Sequence, residues 1–261
     1  MKKHRIVIKI GSNVLTRKDG KLDVTRVSSL VDQIANLRSH GFEVILVSSG
    51  AVACGRRELT VEHSLDSVEQ RQLFSAVGQV KLVGLYYDLF REFGIHVGQV
   101  LTMKENFEPG EQYQNQQACM KVMLENDVLP IVNENDTVSV TELMFTDNDE
   151  LSGLIAQMME ADTLILLSNI DGIYDGHPDN PSSRIISSVE PGCDLSQYIK
   201  AEKSAFGRGG MHSKYTTAQK VQQSGIRVII ANGEREAILT DLILDNKQNV
   251  PHTEFIPNGI N

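Results

Sequence analysis

The chain has 261 residues, of which 41% are hydrophobic and 23% are charged, as in an ordinary globular domain with a substantial core. Its formal net charge is −9, which argues against a nucleic-acid-binding protein, since such a protein needs a basic face. The three cysteines form no CxxC pair, and no apolar run approaches the roughly 20 residues that cross a bilayer. We therefore expect a cytoplasmic protein with no nucleic-acid partner and no membrane partner.

Short apolar runs rich in β-branched residues predict six strands, and helical periodicity predicts helices between them. The predicted strands span residues 5–10, 43–47, 96–101, 128–133, 163–167 and 227–231. The predicted helices span residues 27–37, 67–93, 111–126, 149–160 and 213–224. This alternation predicts an α/β fold in which helices cover both faces of a mainly parallel sheet.

Three stretches depart from the alternation. Residues 134–147 have the pattern of a hairpin that leads into a polar turn, and residues 170–212 are rich in Gly, Pro, Asp and Ser, which predicts a long loop region. Residues 251–261 predict a frayed tail. Since compact domains seldom carry long loops without a functional reason, we expect such a loop here to have one.

Lys9 is the first candidate for chemistry. It lies inside the first apolar strand, where a lysine is costly unless an anion pairs with it, and Gly11 and Ser12 follow directly. Ligands of open parallel sheets bind beyond the carboxyl ends of the strands. The pattern is therefore typical of a phosphate-binding turn, although a lysine on an edge strand would also fit it.

Two further turns could bind an anion through free backbone N–H groups. Ser49 and Gly50 follow the second predicted strand and precede a helix start, where an ordinary tight turn is an equally good explanation. The segment 207–214, GRGGMHSK, is rich in glycine and ends in Lys214 at a helix start. It matches neither the P-loop nor the dinucleotide-binding pattern, but it offers the same exposed amides and one mobile cation.

Carboxylates and amides are dense at residues 133–136 (NEND) and again at residues 147–149 (DND). A helix cap formed by Asp147 or Asp149 would explain part of this density. The whole cluster suits an ammonium group or Mg²⁺ better. Together with the lysines and the glycine turns, it predicts phosphoryl transfer, which depends mainly on positioning and on neutralising charge.

Five motifs carry a resemblance to a known family, namely IKIGS at 8–12, VSSGA at 47–51, NEND at 133–136, DNDELS at 147–152 and GGMHSK at 209–214. The sequence resembles the amino acid kinase family and, within it, the members that phosphorylate glutamate. The resemblance implies a three-layer α/β/α sandwich over residues 1–257, with a tail at 258–261. It also implies ATP- and Mg²⁺-dependent phosphorylation of the γ-carboxylate of L-glutamate, the first step of proline biosynthesis.

The resemblance further implies which residues hold the reactants. Lys9 and Lys214 would contact the transferring phosphate, and Asp149 would orient the two lysines; no protein ligand is assigned to the metal. The residues implied for glutamate are Ser49, Gly50, Asp136 and Asn148. The residues implied for ATP are Lys9, Gly11, Ser168, Asn169, Arg208, Gly209, Gly210, Met211, His212, Ser213 and Lys214.

Partners also follow from the resemblance. It implies a homo-oligomer, feedback inhibition by proline and a complex with glutamate-5-semialdehyde dehydrogenase. Many family members continue into an RNA-binding-like PUA domain, and the length of this chain leads us to expect none here.

Four features differ from the family pattern, namely Ser168–Asn169 where Thr-Asp is common, Thr146 where Gly is common, Arg208 where a small residue is common, and DGHP at 175–178 where Asp-Pro-Arg is common. Two other interpretations therefore stay open. One is a relative that acts on another carboxylate or on carbamate, and the other is a non-catalytic amino-acid sensor. Lys9, Asp149 and Lys214 argue against the sensor, whereas Asn169 keeps it open.

Overall fold

The computed structural model of the protein describes residues 3–139, 144–199, 210–245 and 249–258. In these ranges the strands are β1 (Arg5–Ile10), β2 (Glu43–Ser48), β3 (His96–Thr102), β4 (Val128–Glu134), β5 (Thr163–Ser168), β6 (Ser188–Val189), β7 (Arg227–Asn232) and β8 (His252–Phe255). The helices are α1 (Ser12–Leu15), α2 (Val24–Ser39), α3 (Ala51–Glu58), α4 (Ser67–Arg91), α5 (Glu111–Glu125), α6 (Asn148–Met158), α7 (Met211–Gln223) and α8 (Ile238–Ile243). Each predicted strand and helix forms within a few residues of its expected bounds.

The strands form one sheet in the order β3-β4-β2-β1-β5-β7-β8-β6. Neighbouring strands run parallel, except that β7 and β8 are antiparallel. β1 lies between β2 and β5, and residues 6–10 are all buried, as expected of a strand that is covered on both faces. The mainly parallel sheet is confirmed, and the alternative that placed Lys9 on an edge strand is wrong.

Helices cover both faces of the sheet, and each face has its own hydrophobic core. One core contains Leu30 of α2 and Leu82 of α4. The other contains Ile155 of α6 and Val221 of α7. The expected three-layer α/β/α sandwich is therefore confirmed, and none of the helices in the described ranges is both long and apolar enough to cross a membrane.

The two longest helices begin at aspartates that cap them. Asp23 accepts a hydrogen bond from the backbone N–H of Arg26 at the start of α2, and Asp66 forms a capping box with Glu69 at the start of α4. Such caps satisfy N–H groups that the first helical turn leaves unpaired. The register of α4 is therefore fixed at its first turn, and Arg71 in its second turn points into the site described below.

The end of the described chain is a strand rather than a frayed tail. His252–Phe255 forms β8 and pairs antiparallel with β7, and the side chains of Thr253 and Phe255 are fully buried. The prediction of a frayed tail over residues 251–261 is therefore wrong for this strand. A four-residue segment in which only Phe255 is apolar gives too weak a periodic signal to be recognised without its partner strand.

Two irregular stretches are described only in part. Within residues 170–199 the loop is interrupted by β6, by a bridge between Tyr174 and Ile185 and by a 3₁₀ turn at Ser196–Tyr198. Residues 200–209 lie outside the described ranges. Residues 140–143 lie outside them as well. Of the predicted hairpin over 134–147, the described residues include a turn in which the N–H of Ser139 donates to the carbonyl of Asn135.

Candidate active site

The carboxyl ends of β1, β2, β4 and β5 open into a cavity of about 780 Å³. The predicted site residues that line it are Lys9, Gly11, Ser49, Gly50, Asp136, Asn148, Ser168, Asn169, Gly210, Met211 and Lys214. His212 and Ser213 lie in the first turn of α7 without lining the cavity. Arg208 and Gly209 fall outside the described residues.

Two buried lysines share one carboxylate at the edge of this cavity. Nζ of Lys9 lies 2.6 Å from Oδ1 of Asp149, and Nζ of Lys214 lies 2.9 Å from Oδ2 of the same residue. Lys9 is 4% exposed, Lys214 is 7% exposed and Asp149 is completely buried. Asp149 therefore lies behind the lysines and holds both ammonium groups, which face the cavity.

Three elements bring this triad together. Lys9 is the second-last residue of β1, whereas Asp149 and Lys214 lie in the first turns of α6 and α7. A Cβ on Gly153 of α6 would lie 2.8 Å from the methyl group of Thr217 of α7, so the two helices pack closely. Because both helices begin at the same edge of the sheet, their first turns meet beside the end of β1.

The charges of the triad shift its ionisation. Burial by itself would raise the pKa of Asp149, but the positive charges of Lys9 and Lys214 outweigh it and hold the pKa below its usual range. For Lys9 the desolvation caused by burial dominates, so its pKa is lowered despite the neighbouring carboxylate. With all three groups ionised the triad carries one net positive charge, which suits an anionic phosphate group.

The turn after β2 lines the same cavity, beside the end of β1, where the N–H of Ser49 donates to the carbonyl of Ile10 at 3.1 Å. Gly50 has a φ of +105°, a conformation that favours glycine, and it begins α3. A Cβ on Gly78 of α4 would lie 1.8 Å from the carbonyl oxygen of Ala51, so α4 packs directly on the first turn of α3. Nδ2 of Asn148 donates to Oγ of Ser49 at 2.9 Å. The turn is thus held from two sides.

Asp136 has a basic partner that the sequence did not single out. Nε of Arg71 donates to Oδ1 of Asp136 at 2.7 Å, and Nη2 of Arg71 donates to Oε2 of Glu134 at 2.8 Å. Arg71 lies on α4, more than sixty positions earlier in the chain. A single arginine on a helix carries no local signal of such a role, because most are solvated surface residues.

Asp147 begins α6 and also lines the cavity. Its Oδ1 accepts hydrogen bonds from the backbone N–H groups of Asp149 and Glu150 at 2.8 and 3.1 Å, so the predicted cap belongs to Asp147. Burial and the negative charge of Asp149 raise its pKa. Among the described residues, no group of three or more His, Cys, Asp or Glu side chains could hold a metal ion by itself.

The other end of the cavity is formed by the segment after β5. Gly172, Ile173 and Tyr174 line it beside Ser168 and Asn169. Residues of β8 and of the turn after β7 support this segment from behind.

Two contacts provide this support. Oγ1 of Thr253 accepts a buried hydrogen bond of 2.8 Å from the backbone N–H of Ile173. Arg235 binds Asp171, with Nε 2.6 Å from Oδ1, and this hydrogen bond is the main reason that the pKa of Asp171 is lowered. Loop backbone that lines the cavity is therefore anchored to two other elements of the fold.

The sequence profile of the amino acid kinase family matches residues 4–232. The chain belongs to this family. Among its curated relatives, the glutamate 5-kinase of Bacteroides thetaiotaomicron is 64% identical over 254 residues, which are 97% of this chain and 70% of the relative. The glutamate 5-kinase of Clostridium acetobutylicum is 39% identical over 262 residues, which are 98% of this chain and 96% of the relative.

A solved structure of an amino acid kinase fold resembles the whole chain. The carbamate kinase of Giardia lamblia, bound to AMP-PNP, superimposes with a TM-score of 0.68 at 16% sequence identity, covering 98% of this chain and 99% of the carbamate kinase. At this identity the likeness concerns the fold alone. It agrees with the three-layer arrangement.

Proposed function

We propose that the protein transfers the γ-phosphoryl group of ATP to the γ-carboxylate of L-glutamate, giving L-glutamyl 5-phosphate and ADP, the first step of proline biosynthesis. The observation that carries this proposal is a single cavity that joins the buried pair Lys9 and Lys214 to the side chains of Asp136 and Asn148. The names of the relatives in Bacteroides thetaiotaomicron and Clostridium acetobutylicum support it.

The phosphoryl transfer needs charge neutralisation rather than a general base. A glutamate side chain has a pKa near 4.3 and is already ionised at neutral pH. One of its carboxylate oxygens forms a bond to the γ-phosphorus of ATP, while the bond from that phosphorus to the bridging oxygen of ADP breaks. Lys9 and Lys214 would offset the repulsion between the carboxylate and the phosphates. Asp149 would keep both ammonium groups facing the cavity.

Mg²⁺ would accompany the nucleotide. This ion is usually bound by one or two carboxylates together with substrate phosphates, and Asp147 is a carboxylate that lines the cavity. When bound there, Mg²⁺ would neutralise part of the phosphate charge. Asp147 and the ATP phosphates would bind the ion together, since the described residues supply no complete metal site by themselves.

The two substrates would occupy opposite ends of the cavity. We assign the ammonium group of glutamate to Asp136 and its γ-carboxylate to the turn at Ser49 and Gly50, with Asn148 beside it. We assign the nucleotide to the end formed by residues 168–169 and 172–174, together with the glycine-rich segment at 208–214. We assign Gly11 to the phosphates of the nucleotide, because it lines the cavity beside Lys9.

The partners expected from the family remain part of the proposal. These are a homo-oligomeric assembly, inhibition by proline and association with glutamate-5-semialdehyde dehydrogenase. We place the reaction in the cytoplasm, where the reducing conditions suit three free cysteines, Cys54, Cys119 and Cys193.

A hydroxamate assay tests the proposed reaction. Hydroxylamine traps an acyl phosphate as a hydroxamate, which ferric ion detects by colour. With ATP and Mg²⁺ we expect product from L-glutamate and little from L-aspartate, N-acetyl-L-glutamate or acetate, and carbamate can be followed through ADP release. A higher rate with another acceptor would assign the protein to that substrate, and amino-acid binding without any turnover would identify a sensor.

A further inference from the structure

Arg71 lies where two acidic side chains of the cavity meet. Its Nε donates to Oδ1 of Asp136 at 2.7 Å, and its Nη2 donates both to Oε2 of Glu134 at 2.8 Å and to Oδ1 of Asp136. All three residues line the cavity. The side chain of Arg71 is 16% exposed, and that of Glu134 is 2% exposed. The guanidinium is therefore held between two carboxylates and has little contact with solvent.

Glu134 is itself fixed by two segments of the chain. Its Oε1 accepts hydrogen bonds from Oγ of Ser139 at 2.9 Å and from the backbone N–H of Phe145 at 3.1 Å. These contacts tie the segment after β4 to the segment before α6. Since Glu134 cannot turn toward solvent without breaking them, its charge anchors the guanidinium of Arg71 in one place. Arg71 in turn holds the carboxylate of Asp136.

The cluster contains two carboxylates, those of Glu134 and Asp136, and the guanidinium of Arg71 that binds both. A carboxylate that lines the cavity attracts a substrate ammonium group, and Asp136 is such a carboxylate. The planar fork of an arginine can hold a carboxylate in a fixed orientation, which the flexible ammonium group of a lysine does less well.

We propose that Arg71 is a positioning residue that selects substrates carrying an α-amino group, because it fixes the Asp136 carboxylate toward the ammonium group. This inference rests on the proposed function, since it takes glutamate as the amino acid in the cavity. Arg71 acts through Asp136 and does not touch the reacting phosphate. Its loss frees Asp136 to rotate and leaves two neighbouring carboxylates without their shared counter-charge.

The comparison of L-glutamate with glutarate isolates this role, because glutarate is glutamate without the amino group. Calorimetric titrations of the full chain would give the Kd of both ligands and of ADP for the wild type, Arg71→Gln, Arg71→Lys, Asp136→Asn and the double variant Arg71→Gln/Asp136→Asn. We expect the wild type to prefer glutamate strongly. Arg71→Gln should weaken glutamate binding by about 10- to 100-fold, less than the loss of a charge that contacts the ligand directly, while the Kd values of glutarate and ADP change little.

The other variants separate positioning from general damage. Arg71→Lys keeps the charge without the fork, so its preference for glutamate should fall between those of the wild type and Arg71→Gln. The double variant should bind glutamate no more weakly than Asp136→Asn alone, because Arg71 acts through that carboxylate. If Arg71→Gln fails to fold, Arg71→Lys decides the question by the same ratio of Kd values.

The outcomes distinguish this inference from the function on which it rests. A wild-type chain that prefers glutamate, with the same preference in the Arg71 variants, would overturn the role of Arg71 alone. Additive effects of the two substitutions would also overturn it. A wild-type chain that binds ADP but not glutamate would overturn the proposed function itself, and this inference with it.

Discussion

Nζ of Lys9 lies 2.6 Å from Oδ1 of Asp149, a carboxylate with no solvent exposure. The other oxygen of the same carboxylate binds Lys214. One buried anion thus sets the positions of two ammonium groups, one from β1 and one from α7. Removing one partner of a buried ion pair leaves an uncompensated charge, which is strongly destabilising.

Asp149→Asn should therefore lower both activity and stability. The neutral amide leaves two ammonium groups close together, so at least one of them should move or lose its proton. We expect kcat to fall by about 10²- to 10³-fold, as when one donor to a developing charge is lost, and the free energy of unfolding to fall by about 3–5 kcal/mol. Steady-state kinetics and urea unfolding would measure both effects.

A matched control for Asp149→Asn lies at the start of β1, at the end of that strand opposite to Lys9. Glu43 at the start of β2 forms an ion pair with Arg5 at 2.8 Å. Glu43→Gln also neutralises a paired carboxylate, but far from the cavity, so it should leave kcat unchanged. Wild-type kcat in Asp149→Asn would show that the carboxylate does not position the lysines.

Asp136→Ala should affect glutamate far more than ATP. The substitution removes the carboxylate assigned to the substrate ammonium group and leaves the lysine triad in place. The KM for glutamate should rise strongly while the KM for ATP stays close to the wild-type value. An effect confined to ATP would place Asp136 in the nucleotide site and overturn the assignment.

Thr253→Val should weaken nucleotide binding from behind the cavity. Oγ1 of Thr253 accepts the N–H of Ile173, and valine leaves this buried N–H without a partner, at a cost of about 1–3 kcal/mol. Since Ile173 lines the nucleotide end, we expect a several-fold rise in the KM for ATP with little change for glutamate. Thr253→Ser keeps the acceptor and is the matched control. Equal KM values for ATP in both variants would show that the hydrogen bond from Ile173 to Thr253 does not support nucleotide binding.

The sequence predicted the centre of the fold better than its edges. Strands such as β1 and β5 can be predicted because they are continuous apolar runs, and a lysine inside such a run is easily recognised. β8 was not predicted, because its burial depends on pairing with β7. The local sequence pattern carries no information about that pairing. Arg71 escaped for a related reason, since its partners lie on another element and only the folded chain brings them together.

Arg208→Ala should raise the KM for ATP several-fold with little change for glutamate. Arg208 precedes Lys214 by a few residues, and an arginine can contact phosphate oxygens with a bidentate fork. Kinetics and ADP titrations at low and high salt would test this, because screening should shrink the difference at high salt. Unchanged affinities for both nucleotides at low salt would show that Arg208 is an ordinary surface residue.

In the proposed reaction, a glutamate carboxylate oxygen attacks the γ-phosphorus of ATP. Glutamate labelled with ¹⁸O in its γ-carboxylate tests this directly, in a reaction with ATP, Mg²⁺ and hydroxylamine. Hydroxylamine attacks the carbonyl carbon of the acyl phosphate, so the released phosphate keeps the oxygen that bridged carbon and phosphorus. We predict phosphate that carries one ¹⁸O atom, detected by mass spectrometry. Unlabelled phosphate would show that water, and not glutamate, accepts the phosphoryl group, and would contradict the account.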